Sequence, residues 1–241
     1  MIEILHNRSA VAKMMLVRFS VKILLFLCVY FFSLAGKWVL LPVPLLKQQH
    51  ELSCEASAVR MVLSFWGHSL SEDDLIKLIP VDRTAKTKDQ WGDPDAAFVG
   101  DVDGQMMVGG YGVYPKGLKK LADTVGFSLK GQSSVWTSKD LDAYLEAGVP
   151  VLLWGSMLPM RPVQWRTPAG KMVTGDQNEH VYVVKGFYRD YFHENYILND
   201  PHTGLEITLS SQELNHRWHA LGRMAVALLP KGLERNFENL K

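Results

Sequence analysis

Hydrophobic residues in the first half of the chain recur at roughly every third or fourth position, the spacing of one face of an α-helix. The clearest segment runs from Cys54 to about Trp66, and Ser53 before it is the predicted N-cap. Capping residues and flanking Pro or Gly predict further helices over Glu72 to Ile79, Lys116 to Val125, Ser138 to Ala147 and a segment after Ser210. The first half is therefore predicted to be mainly helical.

In the second half the pattern changes to short runs of β-branched and aromatic residues, separated by Gly, Pro, Asn and Asp. These runs predict strands over Val149 to Trp154, Val181 to Tyr188, Tyr196 to Leu198, Leu205 to Leu209 and Met224 to Leu229. Helices that precede an antiparallel-looking set of strands indicate an α+β fold, with a helical part packed on an antiparallel sheet, and not a doubly wound parallel sheet.

The segment from Lys86 to Gly112 follows neither pattern, and its glycines and aspartates stand at turn positions. A stretch of this length without regular structure is usually functional or disordered, and its aromatic residues argue against disorder. We therefore predict that it lines a cleft. Its Asp-x-Asp-Gly string at residues 101–104 lacks the other oxygen ligands and the closing Glu of an EF-hand loop, so a turn is the favoured interpretation.

The N-terminal residues show a third pattern, an uncharged apolar run over residues 23–36 with a lysine on either side. The run is shorter than the roughly twenty residues that span a bilayer, and it fits the apolar region of a signal peptide. Ser33 and Ala35 allow cleavage after Ala35, and an uncleaved membrane anchor is the alternative. Met14 or Met15 could be the true start.

In both cases the basic flank is expected to stay in the cytoplasm and the body of the protein to be exported, either secreted or anchored in the membrane. Residues 1–35 are assigned to the signal peptide or anchor, and residues 36–241 to one folded domain, a length that usually forms a single core. The whole chain carries a net charge of +1. Because the leader holds four Lys or Arg residues and one Glu, the body is slightly acidic, which argues against a nucleic-acid partner.

The chain contains two cysteines, Cys28 in the apolar leader and Cys54 in the body, and we do not expect them to pair. This count excludes a disulfide-stapled scaffold and a multi-cysteine zinc site, and no spacing of His, Cys and Asp fits a metal site. We therefore predict neither a cofactor nor a metal. A single thiol in an exported domain is either buried filler or a nucleophile, and its surroundings decide which.

Those surroundings favour a nucleophile. Cys54 falls in the first turn of a predicted helix, where the helix dipole and unpaired N–H groups are expected to stabilise a thiolate and lower the thiol pKa. Gln48 lies six residues upstream on a loop that must fold back over this helix end. Its side-chain N–H could stabilise an oxyanion together with the backbone N–H of Cys54. Gln49 is the rival for this role.

The Gln-x5-Cys spacing at the head of a helix resembles the papain-like cysteine peptidases. More narrowly, it is similar to stand-alone relatives of the peptidase domains of bacteriocin exporters, the C39-like peptidases. The similarity covers about Pro42 to Leu229, and the other motifs that carry it are Trp91-Gly92-Asp93-Pro94, Gly110-Tyr111-Gly112-Val113, Gly148-Val149-Pro150-Val151, Glu179-His180-Val181 and Asn199-Asp200-Pro201. Glu55 is a departure, since the exporter domains often have Gly after the nucleophile.

This resemblance implies a papain-like fold and a Cys, His, Asp triad in the family's chain order. His180, which opens a β-run, would take the thiol proton and later protonate the leaving amine. Asp200, which closes the next run, would hold the histidine in the productive tautomer, with Asn199 as its substitute. None of the other histidines has such a context.

The implied activity is hydrolysis of peptide bonds through a thioester acyl-enzyme, with a peptide or protein as substrate. The same triad could instead act as an amidase or acyltransferase on cell-wall peptides, because only the cleft decides the substrate. A third possibility is a catalytically idle domain that binds peptides at the cell envelope. The membrane is a further partner if the N-terminal segment stays uncleaved.

Overall fold

The computed structural model describes residues 36–132, 135–237 and 240. The predicted leader, residues 1–35, lies outside these ranges, and so do the predictions of its cleavage or anchoring. Within the described ranges, no helix combines the length and hydrophobicity that crossing a membrane requires. The described residues of the ranges 38–188 and 194–240 form one compact unit. The turn Arg189–His193 belongs to a second unit, and there the Asp190 carboxylate accepts the backbone N–H groups of Phe192 and His193.

Most helices begin where the capping residues predict, but the helix predicted from Lys116 begins as an α-helix only at Lys119. Helix α1 spans Cys54–Phe65, α2 Glu72–Leu78, α3 Lys119–Thr124, α4 Ser138–Glu146 and α5 Ser211–His219. The side chains of Ser71, Thr137 and Ser210 accept a backbone N–H three residues further on, and so cap α2, α4 and α5. A 3-10 turn, Pro115–Leu118, runs directly into α3.

The strands are β1 Lys37–Leu40, β2 Val81–Asp82, β3 Phe98–Val99, β4 Phe127–Lys130, β5 Val151–Ser156, β6 Pro162–Arg166, β7 Met172–Asp176, β8 Glu179–Arg189, β9 Glu194–Asp200, β10 Leu205–Ser210 and β11 Ala225–Pro230. The main sheet has the order β10-β9-β8-β5-β11-β4, and β1 also pairs with β8. Within it, β9 with β10, β5 with β8 and β11 with both β4 and β5 run antiparallel. The predicted α+β arrangement is therefore confirmed.

Several strands, among them β4, β6 and β7, were not predicted from the sequence. In β4 only Phe127 is fully buried, so the strand lacks a clear alternating pattern. The hairpin of β6 and β7 includes a proline and a glycine, and it forms a small sheet of its own among the described residues. Trp165 and Val173 are its buried core residues, and strands with so few apolar positions leave little trace in a hydrophobicity pattern.

Strand β8 separates the hydrophobic core into two layers. Val181 and Val183 belong to the cluster that contains the buried face of α1, whereas Tyr182 and Val184 belong to the cluster that contains the buried faces of α4 and α5. Successive strand residues point to opposite faces of a sheet, so the side chains of residues 181–184 alternate between the two layers. Helix α1 thereby packs on the face to which Val181 and Val183 point.

Candidate active site

The loop that leads into α1 is held by a buried carboxylate on α2. Glu72 Oε1 accepts the backbone N–H of Gln49 at 2.8 Å and the hydroxyl of Ser53 at 2.6 Å. Ser53 precedes α1 as predicted but makes no capping hydrogen bond; its hydroxyl oxygen accepts the backbone N–H of His50 at 3.2 Å instead of a helix N–H. At the other end of the loop, the backbone N–H of Gln48 donates to the carbonyl of Pro201 at 2.9 Å. The loop is thus fixed between α2 and the end of β9.

The side chain of Gln48 braces this same loop. Its Nε2 donates to the carbonyls of His50 at 2.9 Å and Glu51 at 2.8 Å. Its Oε1 is buried and has no hydrogen-bond partner among the described residues. Donation to an oxyanion would require one of the two Nε2 bonds to be released. The rival Gln49 has an exposed side chain, and the oxyanion role of Gln48 stays a prediction.

Cys54 is the first residue of α1, and it is only 6% exposed. Its thiol donates to Glu55 Oε2 at 3.4 Å, and the backbone N–H of Val181 on β8 is directed at the sulfur. Burial raises the pKa of the thiol well above its usual range, and the carboxylates of Glu55 and Glu179 raise it further. The prediction of a lowered thiol pKa is therefore wrong for this state, because burial and two acids outweigh the helix N-terminus.

Two buried carboxyl groups to which the sequence analysis gave no role stand beside the thiol. Glu55 Oε1 accepts the backbone N–H of Val113 at 2.5 Å, whereas neither oxygen of Glu179 has a partner among the described residues. Burial raises the pKa of Glu55 to about 7. Burial, followed by the charges of Glu55 and Asp176, raises the pKa of Glu179 well above its usual range.

A glycine allows these carboxyls to approach one another. A Cβ atom at Gly112 would lie 2.5 Å from Glu55 Oε1 and 3.0 Å from Glu179 Oε2, so any side chain there would displace both. The sequence did carry one signal of Glu179. It stands two residues before Val181 in a buried strand, and period-two alternation therefore directs it toward α1 and the thiol.

His180 and Asp200 form a buried pair at the adjoining ends of β8 and β9. His180 Nε2 lies 2.7 Å from Asp200 Oδ1. The same carboxylate accepts the backbone N–H of His202 at 2.9 Å through Oδ1 and the hydroxyl of Thr203 at 2.8 Å through Oδ2. The His180 ring also packs edge-on against Tyr182, with ring centroids 4.6 Å apart. The pair is therefore held by bonds on both carboxylate oxygens and by an aromatic contact.

The pKa values of this pair move in directions that follow from burial and bonding. Burial lowers the pKa of His180 below its usual range, and the hydrogen bond to Asp200 offsets this only in part. Burial alone would raise the pKa of Asp200, but hydrogen bonds from His180, Thr203 and His202 together bring it down to about 2. At neutral pH the pair is a neutral imidazole next to a carboxylate.

Asn199, the substitute for Asp200, and His50, another histidine near α1, do not contact His180 in the hydrogen bonds they form. Asn199 directs its amide away from the pair, donating to the carbonyls of Val43 at 3.2 Å and Pro44 at 3.1 Å. His50 bridges two aspartates, with Nε2 2.7 Å from Asp73 and Nδ1 2.9 Å from Asp103. Both arrangements are structural contacts of the loops around α1, and neither brings a polar group to His180.

Cys54 and the His180–Asp200 pair both adjoin the start of β8. The N–H directed at the Cys54 sulfur belongs to Val181, the residue that follows His180. Among the described residues no hydrogen bond joins the Cys54 and His180 side chains, and the thiol is bonded to Glu55 instead. The structure thus brings the three predicted residues to the same end of β8.

A pocket of about 110 Å³ opens beside the start of α1. Apolar side chains from α1, α2, β2 and β3 supply much of its lining, and Ser53 and Glu55 also line it. The segment predicted to border a cleft contributes residues Phe98, Gly100, Asp101 and Val102. These four residues of the segment thus line a pocket, and the cleft along residues 86–112 stays a prediction.

Comparisons with known proteins are consistent with this geometry. A protein-family model described as "Peptidase_C39 like family" matches residues 40–226. The uncharacterized protein YvpB of Bacillus subtilis is 28% identical over 184 residues, which cover 73% of this chain and 68% of YvpB.

Among solved structures, a protein of Bacillus anthracis named as a C39-like peptidase matches with a TM-score of 0.68 at 22% identity, over 80% of this chain and 98% of that one. The peptidase domain of the transporter ComA from Streptococcus matches with a TM-score of 0.48 at 16% identity, over 78% of this chain and 99% of that domain. The first of these similarities supports the predicted fold.

Proposed function

Since the chain belongs to the C39-like peptidase family, we propose that it is a cysteine peptidase in which Cys54 attacks the peptide carbonyl, His180 carries the proton and Asp200 orients the histidine. The observation that carries this proposal is the convergence at the start of β8. There the thiol at the head of α1 lies against the backbone of Val181, beside the buried His180–Asp200 pair.

The first step follows from the protonation states. A raised thiol pKa and a lowered imidazole pKa favour a neutral thiol and a neutral histidine at rest. Because Asp200 accepts a hydrogen bond from Nε2, that nitrogen carries the proton of the neutral ring and Nδ1 is left as the base. In the proposed step Nδ1 takes the thiol proton as the sulfur bonds to the peptide carbonyl carbon. Asp200 then stabilises the imidazolium.

The remaining steps complete the turnover. The carbonyl oxygen becomes an oxyanion, which the backbone N–H of Cys54 and the predicted Gln48 N–H would stabilise. His180 returns the proton to the leaving amine, and the C–N bond breaks to give a thioester. Water, deprotonated by His180, then attacks the thioester, which releases the carboxylic acid and the free thiol.

The substrate class and the cellular setting are further parts of the proposal. A peptide or protein substrate follows from the family, and the pocket beside α1 offers an apolar surface near the nucleophile. The apolar run at residues 23–36 supports an exported body, secreted or held at the membrane.

The proposal is tested by incubating the purified protein with a peptide library in the presence of a metal chelator and a thiol reductant. We expect cleavage products that are absent with the Cys54→Ala variant. Cell-wall peptides with free and acylated amines are included, since hydrolysis or transfer confined to them would identify the amidase or acyltransferase alternative. If no substrate is turned over in a manner that depends on Cys54, the peptidase assignment is wrong and the chain is a binding domain.

A further inference from the structure

The proposed mechanism leaves two buried acids next to the nucleophile without a task. One ligand atom from each of Cys54, Glu55 and Glu179 lies within 4.8 Å of the other two. Glu55 and Glu179 are 1% and 2% exposed. Neither oxygen of Glu179 has a hydrogen-bond partner among the described residues, although the carboxyl group is directed into this cluster. We call these three residues the thiol–acid cluster.

The charges of the cluster are not balanced by the protein. Among the described residues, no Lys, Arg or His forms an ion pair with Glu55 or Glu179. Buried carboxylates without a partner are costly, and two of them side by side cannot both ionise unless a cation joins them. A sequence that keeps both acids at a buried position therefore points to a cation as the missing partner.

The ligand set selects the kind of cation. A thiolate with two carboxylates suits zinc and similar divalent transition metals, whereas magnesium and calcium take oxygen ligands alone. With Zn–S near 2.3 Å and Zn–O near 2.0 Å, tetrahedral coordination puts sulfur and oxygen about 3.5 Å apart. Cys54 Sγ and Glu55 Oε2 already lie 3.4 Å apart. The sulfur–oxygen edge of a zinc tetrahedron is thus present.

Residues around the cluster hold its carboxyl groups in place, as hydrogen-bond partners of metal ligands do in known metal sites. The backbone N–H of Val113 holds Glu55 Oε1, which leaves Oε2 for a metal. Gly112 provides the room in which Glu55 and Glu179 come together. Three protein ligands leave the fourth position of a tetrahedral ion for water.

We propose that the thiol–acid cluster of Cys54, Glu55 and Glu179 binds a zinc-class divalent cation, which takes the thiolate as a ligand and so keeps the nucleophile inactive until the metal leaves. Binding releases the thiol proton and any proton shared by the carboxyls to solvent, and no electron is transferred. The inhibitory consequence rests on the proposed peptidase function, whereas the site itself does not. Spacing in the sequence did not reveal it, since its acidic ligands come from α1 and β8.

The test is a titration of the reduced, metal-free full-length protein with Co²⁺, which reports a bound thiolate through a sulfur-to-cobalt charge-transfer absorption band. We expect one equivalent to produce the band and Zn²⁺ to abolish it by displacement. Glu179→Gln keeps the shape and removes the charge. It should weaken Co²⁺ affinity at least about 100-fold, because even outer contacts of a metal site are worth 10–100-fold.

Asp142→Asn is the matched control, because Asp142 is also a buried acid but bonds Tyr196 in the other core layer. It should bind Co²⁺ like the wild type. Absence of the band in the wild type, or equal affinity in the Glu179→Gln variant, would overturn the proposal.

Peptide cleavage by the protein treated with a metal chelator, called the chelated protein below, distinguishes failure of the metal site from failure of the proposed peptidase function. If the cobalt band forms but the chelated protein cleaves nothing, the metal site stands and the peptidase assignment fails. If the chelated protein is active and no band forms, only the metal site is refuted. If the band forms and the chelated protein is active, Zn²⁺ should inhibit peptide cleavage by the wild type and by Asp142→Asn at the same concentrations. Inhibition of Glu179→Gln should require a Zn²⁺ concentration at least about 100-fold higher.

Discussion

Glu179 and His180 are neighbours on β8, but their side chains lie in opposite electrostatic surroundings. His180 is bonded to Asp200, whose two oxygens are both occupied. Glu179 has two buried oxygens without a partner among the described residues, and it stands beside a thiol that donates to Glu55. The surroundings of His180 are therefore a completed hydrogen-bond network, and those of Cys54 are an uncompensated acid cluster.

This difference indicates which part of the site would change in the proposed reaction. In that proposal the complete network orients the histidine before substrate arrives, so little rearrangement is needed there. The acid cluster favours a protonated thiol, and a proton transfer or a cation would change its state. Alternation along one strand thus places a fixed component and a switchable component one residue apart.

The largest expected effect comes from removing the nucleophile. Cys54→Ala should abolish turnover, because no other thiol lies in the folded body. Because the residue is buried, we also expect a loss of stability of under about 2 kcal/mol. Peptide cleavage and urea unfolding measure the two effects. Unchanged cleavage would remove the catalytic interpretation of the site.

The next largest effects are expected from substitutions in the hydrogen-bond network of His180 and Asp200. His180→Ala should reduce kcat by on the order of 10⁴ to 10⁶, since members of a triad act as a unit, and Asp200→Asn should be roughly ten- to a hundredfold less severe. Steady-state kinetics with one defined peptide measures both.

His50→Ala and His202→Ala are the controls, because His50 bonds only Asp73 and Asp103 and His202 contributes its backbone N–H to Asp200. If either control variant lost more activity than His180→Ala, the base would be assigned to the wrong residue.

A smaller effect is expected at Gln48. Losing one oxyanion donor costs on the order of 10²–10³ in kcat, about 3–4 kcal/mol, and leaves KM nearly unchanged. Because the amide also braces the loop through His50 and Glu51, the Gln48→Ala variant must be checked for an intact fold by its near-UV spectrum. Alkylation of Cys54 by iodoacetamide forms no oxyanion, so its rate should remain close to that of the wild type.

Gln49→Ala is the matched neighbour, with an exposed side chain and a backbone N–H that still reaches Glu72. Its kcat should stay near the wild-type value. A large loss of kcat in Gln49→Ala together with a small loss in Gln48→Ala would show that Gln48, six residues before the cysteine, is not the oxyanion donor.

Local signals predicted most of the framework. Caps located the starts of α2, α4 and α5, and β-runs located Asp200 at the end of β9 and His180 near the start of β8. The papain-like fold drawn from resemblance agrees with the similarity to a C39-like peptidase structure. These features depend on residues close in sequence, for which propensity and periodicity are informative.

The nucleophile's surroundings could not be predicted in the same way. The thiol pKa depends on Glu179, which lies more than a hundred positions away and reaches Cys54 only because α1 packs on one face of β8. Ser53 likewise makes no capping bond, because its hydroxyl is held by the backbone N–H of His50 and by Glu72 on α2. Tertiary contacts of this kind override a local rule, and they concentrate where the site departs from an ordinary helix start.

The smallest expected effect is on stability in acid, and it concerns the completed network alone. The folded-state pKa of Asp200 is lowered to about 2 from a usual value of 3.8, so the unfolded chain binds its proton first as the pH falls. The stabilisation is therefore fully present above the usual pKa and is lost as the pH drops from about 4 toward 2, by about 2 kcal/mol in total. Urea unfolding at stepped pH values should show this loss in the wild type and a flatter profile for Asp200→Asn over the same window. Equal slopes in the two proteins would mean that the His180–Asp200 bond does not hold the carboxylate ionised, and the contrast between the surroundings of His180 and Glu179 would then rest on the acid cluster alone.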